Sequence, residues 1–364
     1  MREEFVRRRG WLDDPAYLDM IGAANLIPGP TSTEVAMHVG HRRAGWPGFV
    51  VAGLAFILPS VLIVAALAWL YVEQGSRPEV GAILAGVGPI VVAVIAVAGA
   101  SIGRTAIRTR SGAVITVAAV AGSLAGIPEI ALLLGLGAAG LVAAEIRGRA
   151  AGTAPAGFVG WSRSLPGPDA PPSLEARGAV AALGGLAVGS IGALAIFVEF
   201  LKIGAVLFGS GYLLVALLRA ELVDGLGWIT TQQLLDAVAV GQATPGPLFS
   251  TATFIGYVAG GPAGAVAATV GIFLPAFIAV AAGIPILDRL QRSRRARAFL
   301  DGVNAAAVGL LGLVAVQLGL ASIRDPLGLL SALVALVLLW RGVGAAWLIA
   351  AGAAIGLIRL AVPT

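Results

Sequence analysis

The sequence predicts an all-α polytopic membrane protein, with about 12 transmembrane helices of roughly 20 residues each, in two inverted-topology repeats that contain Pro-Gly-Pro-broken helices. Three observations predict it. Of 364 residues, 58% are hydrophobic and only 12% charged, with mean hydropathy +0.95, where soluble domains carry about 25% charged residues. The chain matches itself over most of its length. Its arginines are distributed differently between equivalent loops of the two matching parts.

The apolar runs come first. Val50 to Val72 and Val80 to Ser101 hold no charge and are long enough to cross hydrocarbon. The N-terminal MREEFVRRRG precedes no short apolar stretch with a small-residue cleavage site, so the hydrophobicity is not that of a removable signal. The net charge of +5 and pI near 10.4 sit in short basic clusters between spans. That pattern argues for loops and a lipid bilayer as partner, and against nucleic acid. Cysteine is absent and there are two histidines, so disulfides and thiolate metal sites are excluded and no metal or cofactor is expected.

The internal match sets the organisation. Trp11, Leu18, Asp19 and Pro28-Gly29-Pro30 recur as Trp228, Leu235, Asp236 and Pro245-Gly246-Pro247, 217 positions on. After a one-residue slip the spacing is 216: Gly45, Gly48 and Leu58-Pro59 recur as Gly261, Gly264 and Leu274-Pro275. The first repeat, 1–146, holds a broken span near Tyr17 to Val39, then Gly48 to Val72, Val80 to Gly103, Gly112 to Gly126 and Pro128 to Glu145. Residues 147–178 have the Pro/Gly-rich composition of a solvated linker. The second repeat, 179–364, opens with a linking helix at 179–197 and an extra span, Val198 to Leu218, whose first-repeat counterpart would precede Met1. His41-Arg42-Arg43 and Arg104, Arg108 and Arg110 mark cytoplasmic loops in one repeat, whereas Arg289 to Arg297 marks a non-equivalent loop in the other, which predicts inversion. Arg7, Arg8 and Arg9 run against that assignment.

Inverted repeats with interrupted helices bind substrate where the broken elements meet. Pro-Gly-Pro inside an apolar span forces the backbone out of helix, which membrane depth tolerates only in buried or wet surroundings. After each break come residues suited to start a half-helix, and helix N-termini attract anions. The predicted substrate-binding set is therefore Asn25, Pro28, Gly29, Pro30, Thr31 and Ser32 from one half. Gln242, Thr244, Pro245, Gly246, Pro247, Ser250 and Thr251 come from the other. Lys202, the only lysine, and the Gly209-Ser210-Gly211 triplet lie in FLKIGAVLFGSGY and complete the set. Asp19, Glu34 and Asp236 are proton-coupling candidates, because intramembrane carboxylates repel an anion. His38 and His41, beside Arg42 and Arg43, read as an interfacial loop.

The segments DAVAVGQATPGPLFSTATFIGY, FLKIGAVLFGSGY, AGWPGFVVAGLAFILPS and RAFLDGVNAAAVGL resemble the chromate ion transporter family of the two-domain bacterial type. The resemblance implies a multi-pass protein of a bacterial plasma (inner) membrane that expels chromate, powered by a proton gradient or membrane potential. No phosphate-binding GxxxxGK[ST] loop is present, in keeping with that. The family's Gly-rich motif in a first-repeat helix has no counterpart here. Chromate and sulfate are both tetrahedral dianions, so a sulfate or other inorganic-anion transporter or channel is the alternative, and a homodimer is compatible with either. An intramembrane enzyme would need HExxH or a paired Ser and His, and neither is found.

Overall fold

The computed structural model describes residues 1, 3–11, 13–24, 27–75, 77–107, 109–150, 191–208, 211–284 and 293–361, excluding the side chains of 15, 16, 18, 19, 23, 105 and 147–150. The expected linker beyond residue 150, whose first four residues instead continue a helix, and most of the expected linking helix, together with Asn25, Gly209, Ser210 and the Asp19 side chain, lie outside these. Among the described residues the regular structure is helical, apart from one isolated bridge. The first half contains α1 (Asp14–Ala24), α2 (Thr31–Gln74), α3 (Pro78–Ala106), α4 (Arg110–Leu124) and α5 (Glu129–Ala150). Then come α6 (Ala193–Val206), α7 (Leu213–Leu218), α8 (Thr231–Ala243), α9 (Thr251–Gly283), α10 (Arg294–Ser322), α11 (Pro326–Trp340) and α12 (Ala345–Ala361). Among the described residues, five stretches are long and apolar enough to cross a membrane: Thr31–Gln74, Pro78–Arg104, Glu129–Ile146, Leu248–Gly283 and Arg294–Ser322. The apolar helices α4, α11 and α12 are shorter.

The duplication is written into the backbone. Eight described glycines have positive φ, and they form four pairs at the spacing of the internal match: Gly10 and Gly227, Gly29 and Gly246, Gly45 and Gly261, Gly126 and Gly342. The last pair ends α4 and α11 with the same two hydrogen bonds, Ile127 to Gly122 and Gly126 to Ser123 in one, Val343 to Leu338 and Gly342 to Leu339 in the other. Such bonds satisfy carbonyls that a helix end leaves free. Side-chain caps correspond as well, since Thr109 accepts from the Gly112 N–H and Asp325 from that of Gly328.

Both long elements are hairpins. In α2 the helix is interrupted at Ala44 (φ −144°) and Gly45 (φ 60°), and in α9 at Gly260 (φ −145°) and Gly261 (φ 63°). The two arms then touch through glycine. A Cβ on Gly40 would lie 2.2 Å from the Gly48 carbonyl oxygen, and one on Gly256 2.3 Å from that of Gly264. Small residues let membrane helices approach this closely. The sequence predicts the arms separately and does not reveal that they fold on each other.

The halves grip one another reciprocally. The helix α3 packs on α11 and α12 of the second half, while α10 packs on α4 and α5 of the first, and α2 meets α9. Equivalent glycines make the contacts, because a Cβ on Gly86 would meet the Gly352 carbonyl oxygen at 2.1 Å and one on Gly302 that of Leu136 at 2.6 Å. The helix α6 covers α9. It starts at Ala193, so residues 193–197 and Lys202 share one helix where a separate linking helix was expected.

Overpacking at these crossings costs about 1–3 kcal/mol. Gly86→Val is expected to lower the unfolding temperature of purified protein, whereas Gly81→Val, at a site with nothing within 4 Å, is expected to leave it unchanged in the same thermal scan.

Candidate functional site

Each Pro-Gly-Pro triplet ends one helix and begins the next. Pro30 stands at the N-cap of α2, and its carbonyl accepts from the N–H groups of Thr33 (2.8 Å) and Glu34 (3.2 Å). The second half starts its helix through a 3-10 turn, Leu248–Ser250, with the Pro247 carbonyl accepting from the Ser250 N–H (3.0 Å). Between the prolines, Gly29 has φ 146° and Gly246 φ 149°, a region that L side chains adopt poorly.

The first break is closed by another one. Its Gly29 N–H donates to the Leu207 carbonyl at 2.8 Å, and Pro28 pairs with Phe208. Leu207 and Phe208 belong to the interruption between α6 and α7, where the sequence placed Gly209-Ser210-Gly211. Pro28 is partly covered and Gly29 and Pro30 are buried, whereas Pro245 and Gly246 are exposed.

Each triplet also rests on the long arm of the other half. A Cβ on Gly29 would lie 2.6 Å from that of Ala276, and one on Gly246 2.4 Å from that of Ser60. Ser60 and Ala276 are themselves equivalent, each following a Leu-Pro pair. Ser60 also donates to the Ser250 hydroxyl (2.9 Å), which in turn donates to the Pro247 carbonyl (2.9 Å).

Several buried polar groups at the breaks have no protein partner: the Thr33 and Thr251 hydroxyls, the Gln242 Nε2 and both carboxyl oxygens of Glu34. Thr33, Glu34 and Thr251 are fully buried. Orphaned buried polar atoms are uncommon and call for an explanation. Donors of this kind suit an anion. A Cβ on Gly29 would stand 2.5 Å from Glu34 Oε1, which places that carboxyl against the first break.

Other predicted residues are placed differently. Ser32 is exposed and Thr31 half-buried at the start of α2. The Thr244 hydroxyl donates back to the Gly241 carbonyl at 3.2 Å. Asp236 is buried and accepts from Tyr71 Oη (2.9 Å) and Gln232 Nε2 (2.8 Å), tying α8 to the far end of α2. Lys202 lies midway along α6 with its ammonium 2.7 Å from both Glu199 and Glu221 carboxylates. Its charge is balanced within that trio. Gly211 sits in the turn before α7.

His38 corrects the sequence reading. It is not in an interfacial loop but inside the first arm of α2, 6% exposed, with Nε2 unpartnered. His41 is half-buried on the same arm, its ring edge-on to Trp46 at 5.1 Å. Ser60 and Tyr71 were not foreseen either. Ser60 alone had a signal, as the polar member of a repeated pair whose other member is alanine.

A family model described as "Chromate transporter" matches residues 1–141 and 194–357. The "Chromate transport protein" of Pseudomonas aeruginosa is 35% identical over 325 residues, covering 87% of this chain and 75% of that one. The protein of the same name from Cupriavidus metallidurans is 31% identical over 361 residues, covering 98% and 86%. A "Probable chromate transport protein" of Synechococcus elongatus is 30% identical over 345 residues, covering 94% and 84%. No solved structure matches.

Tyr71→Phe keeps the ring that lies 5.0 Å from Phe254 but removes a donor from buried Asp236. A hydrogen bond to a charged group contributes about 1.5–3 kcal/mol, so a lowered unfolding temperature is expected in a thermal scan, with Gln232→Ala acting in the same direction.

Proposed function

The chain belongs to the chromate transporter family, and from that premise we propose that it is a secondary transporter exporting chromate across a bacterial plasma membrane. Its relatives are transport proteins, and it is a multi-pass membrane protein rather than an enzyme. The observation that carries the proposal is the pair of Pro-Gly-Pro breaks, each seated on the opposite half beside buried donors without protein partners.

The chemistry follows from those donors. A tetrahedral dianion leaving water must exchange its hydration shell for fixed hydrogen bonds. The Thr33 and Thr251 hydroxyls, the Gln242 amide and the N-terminal amides after Pro30 and Pro247 would supply them. Substrate-binding roles for the prolines and glycines of both triplets rest on their place in the breaks, and those of the other predicted residues on the sequence pattern alone. In this reading the repeats are inverted, as the arginine distribution indicates, and the breaks lie near the bilayer midplane. Glu34 fits proton coupling: its carboxyl lies against the first break with both oxygens buried and without a partner. Asp236 is a weaker candidate, since Tyr71 and Gln232 already occupy it.

Radiolabelled chromate uptake into energised inverted vesicles, with sulfate as competitor, tests the proposal. Accumulation resisting excess sulfate is expected. Accumulation of sulfate instead would give the site to that anion, and accumulation of neither would refute oxyanion export. Gly246→Ala adds a Cβ against Ser60 at a left-handed position. It is expected to cut uptake about tenfold or more, the effect of 1.4 kcal/mol, with normal amounts in the membrane by immunoblot.

A further inference from the structure

We infer that Glu34, His38 and His41 form a proton path along the first arm of α2, from the Pro-Gly-Pro break to the arginine-bearing end of that arm. The inference rests on the transport reading above and specifies the route of its coupling ion.

Geometry carries it. Residues three and four apart share a helix face, so positions 34, 38 and 41 make one stripe. At 1.5 Å per residue the steps are about 6 Å and 4.5 Å along the axis. Burial falls along the stripe: Glu34 is 0% exposed, His38 6%, His41 half-buried, and the adjoining Arg42 and Arg43 are exposed. Both Glu34 oxygens and the His38 Nε2 are buried without a partner. A histidine held only for packing would place its ring nitrogens on local acceptors or donors. Here an imidazole nitrogen able to take a proton is left free, one turn from a carboxyl able to give one.

The duplication supplies the contrast. The close approaches at Gly40 and Gly256 fix the spacing at 216 in this arm, so His38 corresponds to Phe254 and His41 to Tyr257. Glu34 falls on Ser250 or Thr251, according to the side of the slip. The stripe that titrates in the first half is replaced by hydroxyls and rings in the second. If the halves are inverted, this path would join the site to one side of the membrane only.

Few other ionisable groups compete. Among elements packed on α2, α1 carries Asp14, Tyr17 and Asp19, α9 carries only Tyr257, and the N-terminal turn Glu3–Arg8, whose Phe5 and Val6 pack with Val35 and Val39, carries Glu3 and Glu4 paired with Arg7, Arg8 and Arg9. The 3-10 turn carries none, and Asp236 of α8 is held by Tyr71 and Gln232. Arg43 lies over the Trp11 ring at 4.6 Å, at the outer end of the stripe. In each transfer the Glu34 O–H bond breaks as an N–H bond forms at His38 Nε2, the His38 Nδ1–H bond breaks as an N–H bond forms on the His41 ring, and His41 gives its proton to water at the exposed end; a proton arriving at Glu34 from the break and return of His38 to its first tautomer complete the cycle. Charge and protons balance without a further reactant.

The test compares wild type with His38→Gln and Glu34→Gln in proteoliposomes, reading chromate counterflow without a pH gradient and chromate accumulation driven by one. His38→Gln is expected to keep counterflow within about threefold while losing gradient-driven accumulation about tenfold or more. Histidine titrates between about pH 5 and 8, so the variant is also expected to flatten the pH profile over that range. Glu34→Gln is expected to lose gradient-driven accumulation too. Accumulation unchanged in His38→Gln overturns the path, as does equal loss of counterflow and accumulation, which would mark His38 as structural. Absence of chromate counterflow in wild type overturns the substrate reading itself, and the path with it.

Discussion

A helix broken at membrane depth leaves backbone amides and carbonyls that lipid cannot satisfy, and the arrangement of this protein follows from that constraint. The breaks are held by contacts that neither half makes alone. Gly29 seats on Ala276, Gly246 on Ser60, and the Gly29 N–H finds its acceptor at Leu207. Every one of these partners lies in the other half. Removing either half would strip the break of its neighbour of these contacts. The glycine crossings of α3 with α12 and of α10 with α5 hold the same exchange further out.

Within that reciprocal frame the two halves have diverged where the chemistry would be. Backbone features coincide to within a few degrees, with φ 146° and 149° at the triplets and 60° and 63° at the hairpin bends. Side chains do not: Ser60 opposes Ala276, and His38 opposes Phe254. On the proposed reading, a shared scaffold with unlike linings would let one half handle protons while both supply donors to the anion. The conserved geometry constrains position, and the divergent residues set the task.

Much of this could be read from the sequence, because its strongest signals are local. Proline and glycine break helices by their own covalent structure, so the interruptions at 28–30 and 245–247 were evident, as was the approximate extent of α3, α4 and α5. The hairpin bend at Ala44-Gly45 was not, since a bend inside an apolar run leaves hydropathy unchanged and depends on Gly40 meeting Gly48. Residues read by their neighbours fared worst. His38 looked interfacial beside Arg42 and Arg43, yet the turn between them carries it into the interior. Lys202 looked like a counter-charge for substrate, but Glu199 and Glu221 come from three and nineteen positions away to balance it. Tyr71 reaches Asp236 across 165 positions, a pairing no local pattern encodes.

The central claim is that the oxyanion is held by unpartnered donors from both halves at once. Equilibrium binding of radiolabelled chromate to purified protein, comparing wild type with Thr33→Ala, Thr251→Ala and the double variant, tests it most directly. The account predicts one saturable site, with each hydroxyl contributing about 1 kcal/mol and both substitutions weakening affinity through that same site. Binding that ignores both threonines, or responds to one half alone, would contradict it.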